Sequence, residues 1–177
     1  IIINKAISNK VGEFNIYNYG ENEGTNSFFL NDLSYKNITK KSPVIEKIST
    51  TTIDIFCKEN NIKVVDYIKC DTEGNDFNVI LGCKEKFKNN DIGILQFEYN
   101  WRWIGAKSYL KDVFDEFENT DYLIGKLTPR KVKFVEKWNP EIEKFYEANY
   151  LIVHKSHLKY LKHDFYFFNR KNVLELV

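Results

Sequence analysis

The spacing of apolar residues along the chain changes repeatedly between the alternation of a strand and the wider period of a helix. Ile1–Ile7 is β-branched and predicts a strand, and Gly12–Tyr17 alternates like a second, more exposed one. Asn18–Lys41 is polar and reads as a loop, with Gly20, Gly24 and "TNSFF" inside it. Val44–Ser49 predicts another strand. "TIDIFCKEN", Thr52–Asn60, has the spacing of a short amphipathic helix, with Thr51 or Thr52 placed to cap it. Val64–Cys70 and Ile92–Phe97 predict buried strands, and between them "NDFNVILGC" predicts a helix with Phe77, Ile80 and Leu81 on one face. Ser108–Phe117 carries Leu110, Val113, Phe114 and Phe117 at helical spacing. Tyr122–Leu127 and Asn149–His154 predict strands, whereas Leu158–Val177 is basic and aromatic without a clear period. Strands alternating with helices predict an α/β sheet, whose ligands belong at the carboxyl ends of its strands.

Composition narrows this picture. A length of 177 residues fits one domain, and 43% hydrophobic residues fit a packed core. A net charge of +1 gives no general attraction to nucleic acid or anionic membrane. Cys57, Cys70 and Cys83 are odd in number and lack metal-ligand spacing, which predicts reduced core thiols in a cytoplasmic compartment. No apolar run approaches ~18 residues, so neither a membrane span nor a secretory signal is expected. Methionine is absent and the first residues already look like a strand in progress. The expectation is that part of a larger domain precedes Ile1.

The chemistry gathers where two apolar strands end in acids. Asp71 follows Tyr67–Cys70, with Glu73 and Gly74 just behind it, and Glu98 follows Ile94–Phe97. If those strands are parallel neighbours, both carboxylates meet at one rim of the sheet. Packing alone explains such residues poorly, because an unpaired buried charge costs several kcal/mol. The alternative leaves Asp71 as a helix cap and Glu73 in the first turn, favoured by the helix dipole.

With their surroundings, these residues carry a resemblance. "TTIDIFCKENNIKVVDYIKCDTEGNDFNVILGC" followed by "IGILQFEYN" resembles the FkbM-type family of S-adenosylmethionine-dependent methyltransferases. That family's pattern runs strand, Lys-hydrophobic-Asp-x-Glu-Gly, helix, Leu-x-Gly-small turn, then a strand ending in Phe-Glu. Lys69, Asp71, Glu73, Gly74, Leu81, Gly82, Phe97 and Glu98 meet it. "NKAISNKVGEF" is similar to the family's earlier strand with its small turn, at Ala6 to Ser8, and "SYLKDVFDEFENTDYLIGKLTP" and "EANYLIVHK" to its later elements. The resemblance covers roughly residues 1–155 and leaves 156–177 as a basic, aromatic C-terminal extension.

The resemblance implies a Rossmann-like class I methyltransferase fold, with a largely parallel sheet and helices on both faces. It implies O-methylation of a hydroxyl, commonly on a sugar or glycan, with S-adenosylmethionine reached by Ala6, Ile7 and Asp71. One departure is serious, since none of the eight glycines stands as Gly-x-Gly. The family's cofactor rests on such a turn. Two βαβ-type units, about 60 residues together, are expected to be missing, and the 177-residue chain is expected to bind cofactor poorly or not at all.

Methyl transfer is an in-line displacement, so a hydroxyl must be aligned with the methyl carbon and lose its proton to a carboxylate or through a metal. On the resemblance, Asp71 is the base or metal ligand, Glu73 orients it or the substrate, and Glu98 shares the catalytic rim. Asp71, Glu98 and Asn100 would form an oxygen-rich divalent site if a metal is used. "YNWRW", Tyr99–Trp103, either offers flat faces to a polyhydroxylated acceptor or packs as a lid. Asn100, Trp101 and, in the polar loop, Ser27 are the candidate substrate contacts, although a lone Ser is commonly a turn residue. His154 reads as a structural histidine.

"HLKYLKHDFYFFNRK" interleaves bases and aromatics, which suits single-stranded nucleic acid but also a packed segment with solvated lysines. With no other basic patch, a small-molecule or glycan acceptor is the expected partner, and neither nucleic acid nor membrane is. Two alternatives stay open. Asp-x-Glu also opens two-metal 3′–5′ exonucleases, with Asp115 and the Tyr160–Asp164 spacing as further matches. The third reading is a non-catalytic remnant of the methyltransferase fold, kept for binding glycan or another chain.

Overall fold

The computed structural model describes residues 2–20, 26–29 and 42–177. Three strands, β1 (Ala6–Ile7), β2 (Gly12–Asn18) and β3 (Val44–Thr51), form a small sheet in the order β1-β3-β2. Seven more form a large one: β4 (Val65–Lys69), β5 (Ile92–Tyr99), β6 (Tyr122–Leu127), β7 (Val132–Val135), β8 (Ala148–His154), β9 (His163–Phe168) and β10 (Leu174–Leu176). Their order is β10-β9-β7-β6-β8-β5-β4. Only β4/β5 and β7/β9 are parallel pairs, so the sheet is mixed, not largely parallel. The physical reason lies in the connections. A helical crossover joins β4 to β5, as a parallel pair requires, whereas β6 turns directly into β7.

Five short helices follow the strands: α1 (Ile53–Glu59), α2 (Asp76–Leu81), α3 (Lys84–Lys88), α4 (Arg102–Ala106) and α5 (Leu110–Glu116). Thr52 caps α1, its hydroxyl accepting the Ile55 amide at 3.1 Å. All five helices place apolar residues in one core. Ile53, Ile80, Phe87, Trp103 and Leu110 pack with Leu95, Phe97 and Tyr99 of β5 and Ile152 of β8. The alternate residues of the same strands, Ile94, Leu151 and Val153, face the other side. There a 3-10 turn at Lys155–Tyr160 supplies Leu158, with Leu161 beside it. The expected helices on both faces are therefore not formed among the described residues.

Several elements differ from their sequence expectation. The strand read at Ile1–Ile7 shrinks to two residues, because only Ala6 and Ile7 find partners on β3. β4 is the edge strand of the large sheet, so Tyr67 is 51% exposed where burial was expected. Leu158–Val177 contributes β9 and β10. In "HDFYFF" almost every position is apolar or aromatic, which hides the alternation. The expected loop at 18–41 falls largely outside the described residues, although Ser27 bridges to Tyr17. Among the described residues, no helix is long and apolar enough to cross a membrane.

Candidate active site

β4 and β5 run parallel with Lys69 opposite Gln96, and the Cys70 amide donates to Gln96 O at 2.8 Å. Asp71 and Glu98 therefore leave neighbouring parallel strands at the same rim, so the condition on which the sequence reading joined them is met. The turn from β4 into α2 depends on backbone geometry. Glu73 has φ +53° and Gly74 φ +98°, and a Cβ on Gly74 would lie 3.1 Å from Arg102 Cβ and carbonyl O. Only glycine fits there without strain. Beyond it the Asn75 side chain donates to Ile7 O at 2.9 Å, tying β1 to the same loop.

Four carboxylates converge on this turn. Glu98 is half-buried, and its Oε2 accepts a hydrogen bond from Asn100 Nδ2 at 3.0 Å. Burial, and then the charges of Asp71, Glu147, Glu73 and Asp76, push the Glu98 carboxyl up to about 7. Asp76 is 1% exposed and accepts from Thr72 Oγ1 at 3.0 Å and from the Glu98 amide at 3.2 Å. Burial raises its pKa despite those bonds. Glu73 Oε2 lies 2.9 Å from Arg102 Nε, but the N–H is not aimed at it, leaving an ion pair without an aligned hydrogen bond. Burial outweighs Arg102 and raises the Glu73 pKa as well. Asp71 is the most open of the four, paired with Lys69 Nζ at 2.8 Å.

The structure sorts the other candidates. Ala6 and Ile7, with Ile16, Phe28, Thr72 and Asn75, line a cavity of about 300 Å³ adjoining the turn. Ser27 is 2% exposed and its hydroxyl donates to Glu73 O at 2.7 Å, so it braces the turn instead of meeting a substrate. Asn100 is also buried. Its NH₂ faces Glu98 at 3.0 Å while its Oδ1 accepts the Arg102 amide at 2.8 Å, so it orients Glu98 and caps the turn into α4. Trp101 stays partly exposed, its ring beneath the Arg102 guanidinium at 4.9 Å. Among the described residues, no group of three or more His, Cys, Asp or Glu is spaced to hold a metal. The exonuclease candidates do not join the rim. Asp164 lies on β9, separated from β5 by β7, β6 and β8, and pairs with Lys131, while Asp115 pairs with Lys111 on α5.

Sequence reasoning missed Asp76 and Glu147, and read Arg102 as a contact for a polyhydroxylated ligand beside the flat aromatic faces, not as a partner of Glu73. Asp76 was readable as a helix first-turn acid, but only the fold buries it beneath Glu98. Arg102 lay inside the aromatic stretch and becomes the counter-ion of Glu73.

An acid-lined rim thus stands at adjoining parallel strand ends, beside a cavity closed by β1. The comparisons define the class. A family model described as "Methyltransferase FkbM domain" matches residues 1–124, which makes the chain a methyltransferase at the level of its family. The chain belongs to the FkbM methyltransferase family. No curated protein and no solved structure matches it.

Proposed function

We propose that this chain is an S-adenosylmethionine-dependent O-methyltransferase acting on a hydroxyl of a sugar or glycan, with Glu98 as the base. One observation carries the assignment. A half-buried carboxylate with its pKa near 7 stands at the strand end it shares with Asp71. A base poised at working pH accepts a proton most effectively. Asp71, read from the sequence as the central base, is solvated and paired with Lys69; its charge instead raises the basicity of Glu98. Asn100 holds the Glu98 carboxylate in one orientation. Trp101 presents a ring to the C–H face of a sugar.

The cavity beside β1 suits the adenine end of the cofactor. Its walls, Ile7, Ile16 and Phe28, are apolar, and the Asn26 and Asn75 amides supply polar contacts. When bound, the cofactor supplies a methyl group on a sulfonium. Ala6 and Ile7 would hold its adenine by packing, and Thr72 would border it. Without a Gly-x-Gly turn in these 177 residues, binding is expected to be weak. Free, buried thiols at Cys57, Cys70 and Cys83 support a cytoplasmic setting.

Two measurements test this reading. Titration with S-adenosylhomocysteine should shift the NMR signals of Ala6, Ile7 and Asn75 and leave β9 unmoved; shifts elsewhere would overturn the cofactor placement. In a transfer assay with labelled cofactor and glycan acceptors, Glu98→Gln should cost ~10²–10⁴-fold in rate. A Glu98→Gln protein as active as the parent would remove Glu98 as base.

A further inference from the structure

A second cavity lies at the far pole of the large sheet. It occupies about 460 Å³, within the range of small-ligand sites. Its position follows from the strand ends. The Tyr122 hydroxyl donates to Ile92 O at 2.8 Å, which places the start of β6 beside the start of β5. Tyr122 is paired with His154, so the end of β8 is there too. Glu98 and Asp71 leave the opposite ends of β5 and β4. Five of its lining residues, Val135, Glu136, Lys137, Trp138 and Lys155, lie beyond residue 124, outside the segment matched by the family model.

The lining is amphipathic. Phe114, Ile124 and Val135 form an apolar floor on the helix side of the sheet, and Trp138 stands beside them, one ring face beneath the Lys111 ammonium at 5.8 Å and the other left to the cavity. The Trp138 indole N–H donates to Glu143 Oε2 at 2.8 Å, which fixes the ring's orientation. Asp115, Glu118, Asn119, Glu136, Lys137 and Lys155 form the rim. Carboxylates, ammonium groups and an amide thus sit side by side without one dominant charge. A phosphate-bearing ligand would meet several carboxylates, and a fatty acyl chain would strand that polar rim. A neutral ring with one C–H face and many hydroxyls uses both parts, because indole packs on the C–H face while donors and acceptors alternate around it.

We propose that this cavity is a carbohydrate-binding site, in which Trp138 takes the face of a pyranose ring and the rim takes its hydroxyls. Binding here needs neither cofactor nor Glu98, so the inference stands separately from the methyl-transfer reading. Its location leaves the catalytic rim free while a longer glycan is held.

The test is titration of the protein with cellotetraose, chitotetraose, maltotetraose and mannotetraose, read by calorimetry and by the indole N–H resonance of Trp138. At least one should bind in the millimolar range or tighter and shift that resonance. Trp138→Ala should weaken binding tenfold or more. Because that change also removes the bond to Glu143, Glu136→Ala provides a rim variant that leaves the fold intact; it should weaken binding several-fold at an unchanged melting temperature. The shift of the Trp138 resonance should be the same in Glu98→Gln, whatever that change does at the catalytic rim. Failure of all four sugars to bind, binding that survives both cavity variants, or a Trp138 shift abolished by Glu98→Gln would each overturn the proposal.

Discussion

At the scale of single residues, Glu98 and Glu143 show how a carboxylate's surroundings decide its use. The Glu98 carboxyl, raised from 4.5 to about 7 by burial and neighbouring acids, binds its proton more tightly folded than unfolded. Its contribution to stability is full below the unfolded value and is lost as pH rises through about 7. Glu98→Gln removes that loss. Denaturant melts at pH 8 should show the variant more stable by about 1 kcal/mol, after discounting for solvent screening of a half-exposed group. Parent activity should instead rise with pH through the same interval, since the base must be ionised. Glu143 is the opposite case. It accepts from Leu110 N at 2.9 Å, Lys111 N at 3.0 Å and Trp138 Nε1 at 2.8 Å, and also from the Tyr99 hydroxyl, joining α5 to the segment before β8. Glu143→Ala leaves those donors unmatched and should cost about 2–4 kcal/mol in urea unfolding.

At the scale of elements, the junction of α2 with β1 sets the site. A Cβ on Gly82 would stand 2.3 Å from Ser8 O, a backbone atom that cannot yield without moving β1. Gly82→Ala should lower stability by about 1–3 kcal/mol and shift the NMR signals of Ile7 and Asn75, because the Asn75 amide bonds to Ile7 O. Unchanged signals there would separate β1 from the site. Much of this level was legible in the chain. Thr52 announced α1, and the apolar stretches before Asp71 and Glu98 announced β4 and β5. The short pieces were not: α3 and α4 span five residues each and β7 four, too few to display a period.

At the scale of the whole molecule, the two sheets differ in how deeply they are held. β5 and β8 are buried along most of their length, whereas β3 is exposed over most of its own. Native-state hydrogen exchange should therefore be slowest in β5 and β8 and markedly faster in β1–β3, which open without global unfolding. Equal protection in both sheets would contradict this. The mixed pairing of the large sheet, and helices gathered on one face, could not be read from spacing. Amphipathic periods say that a face is buried, not which neighbour buries it.

Local order determined what the sequence alone could determine. The alternation of side chains marked the principal strands, and the Asp71–Gly74 turn and the acid ending β5 each stood out as a strand end, because these features depend on residues a few positions apart. Tertiary structure decided the rest. Ser27 meets Glu73 across 46 positions, Asp76 lies beneath Glu98 across 22, and Arg102 pairs with Glu73. Burial and charge act through space, so which carboxylate becomes a base and which becomes a brace is settled only when distant segments pack together.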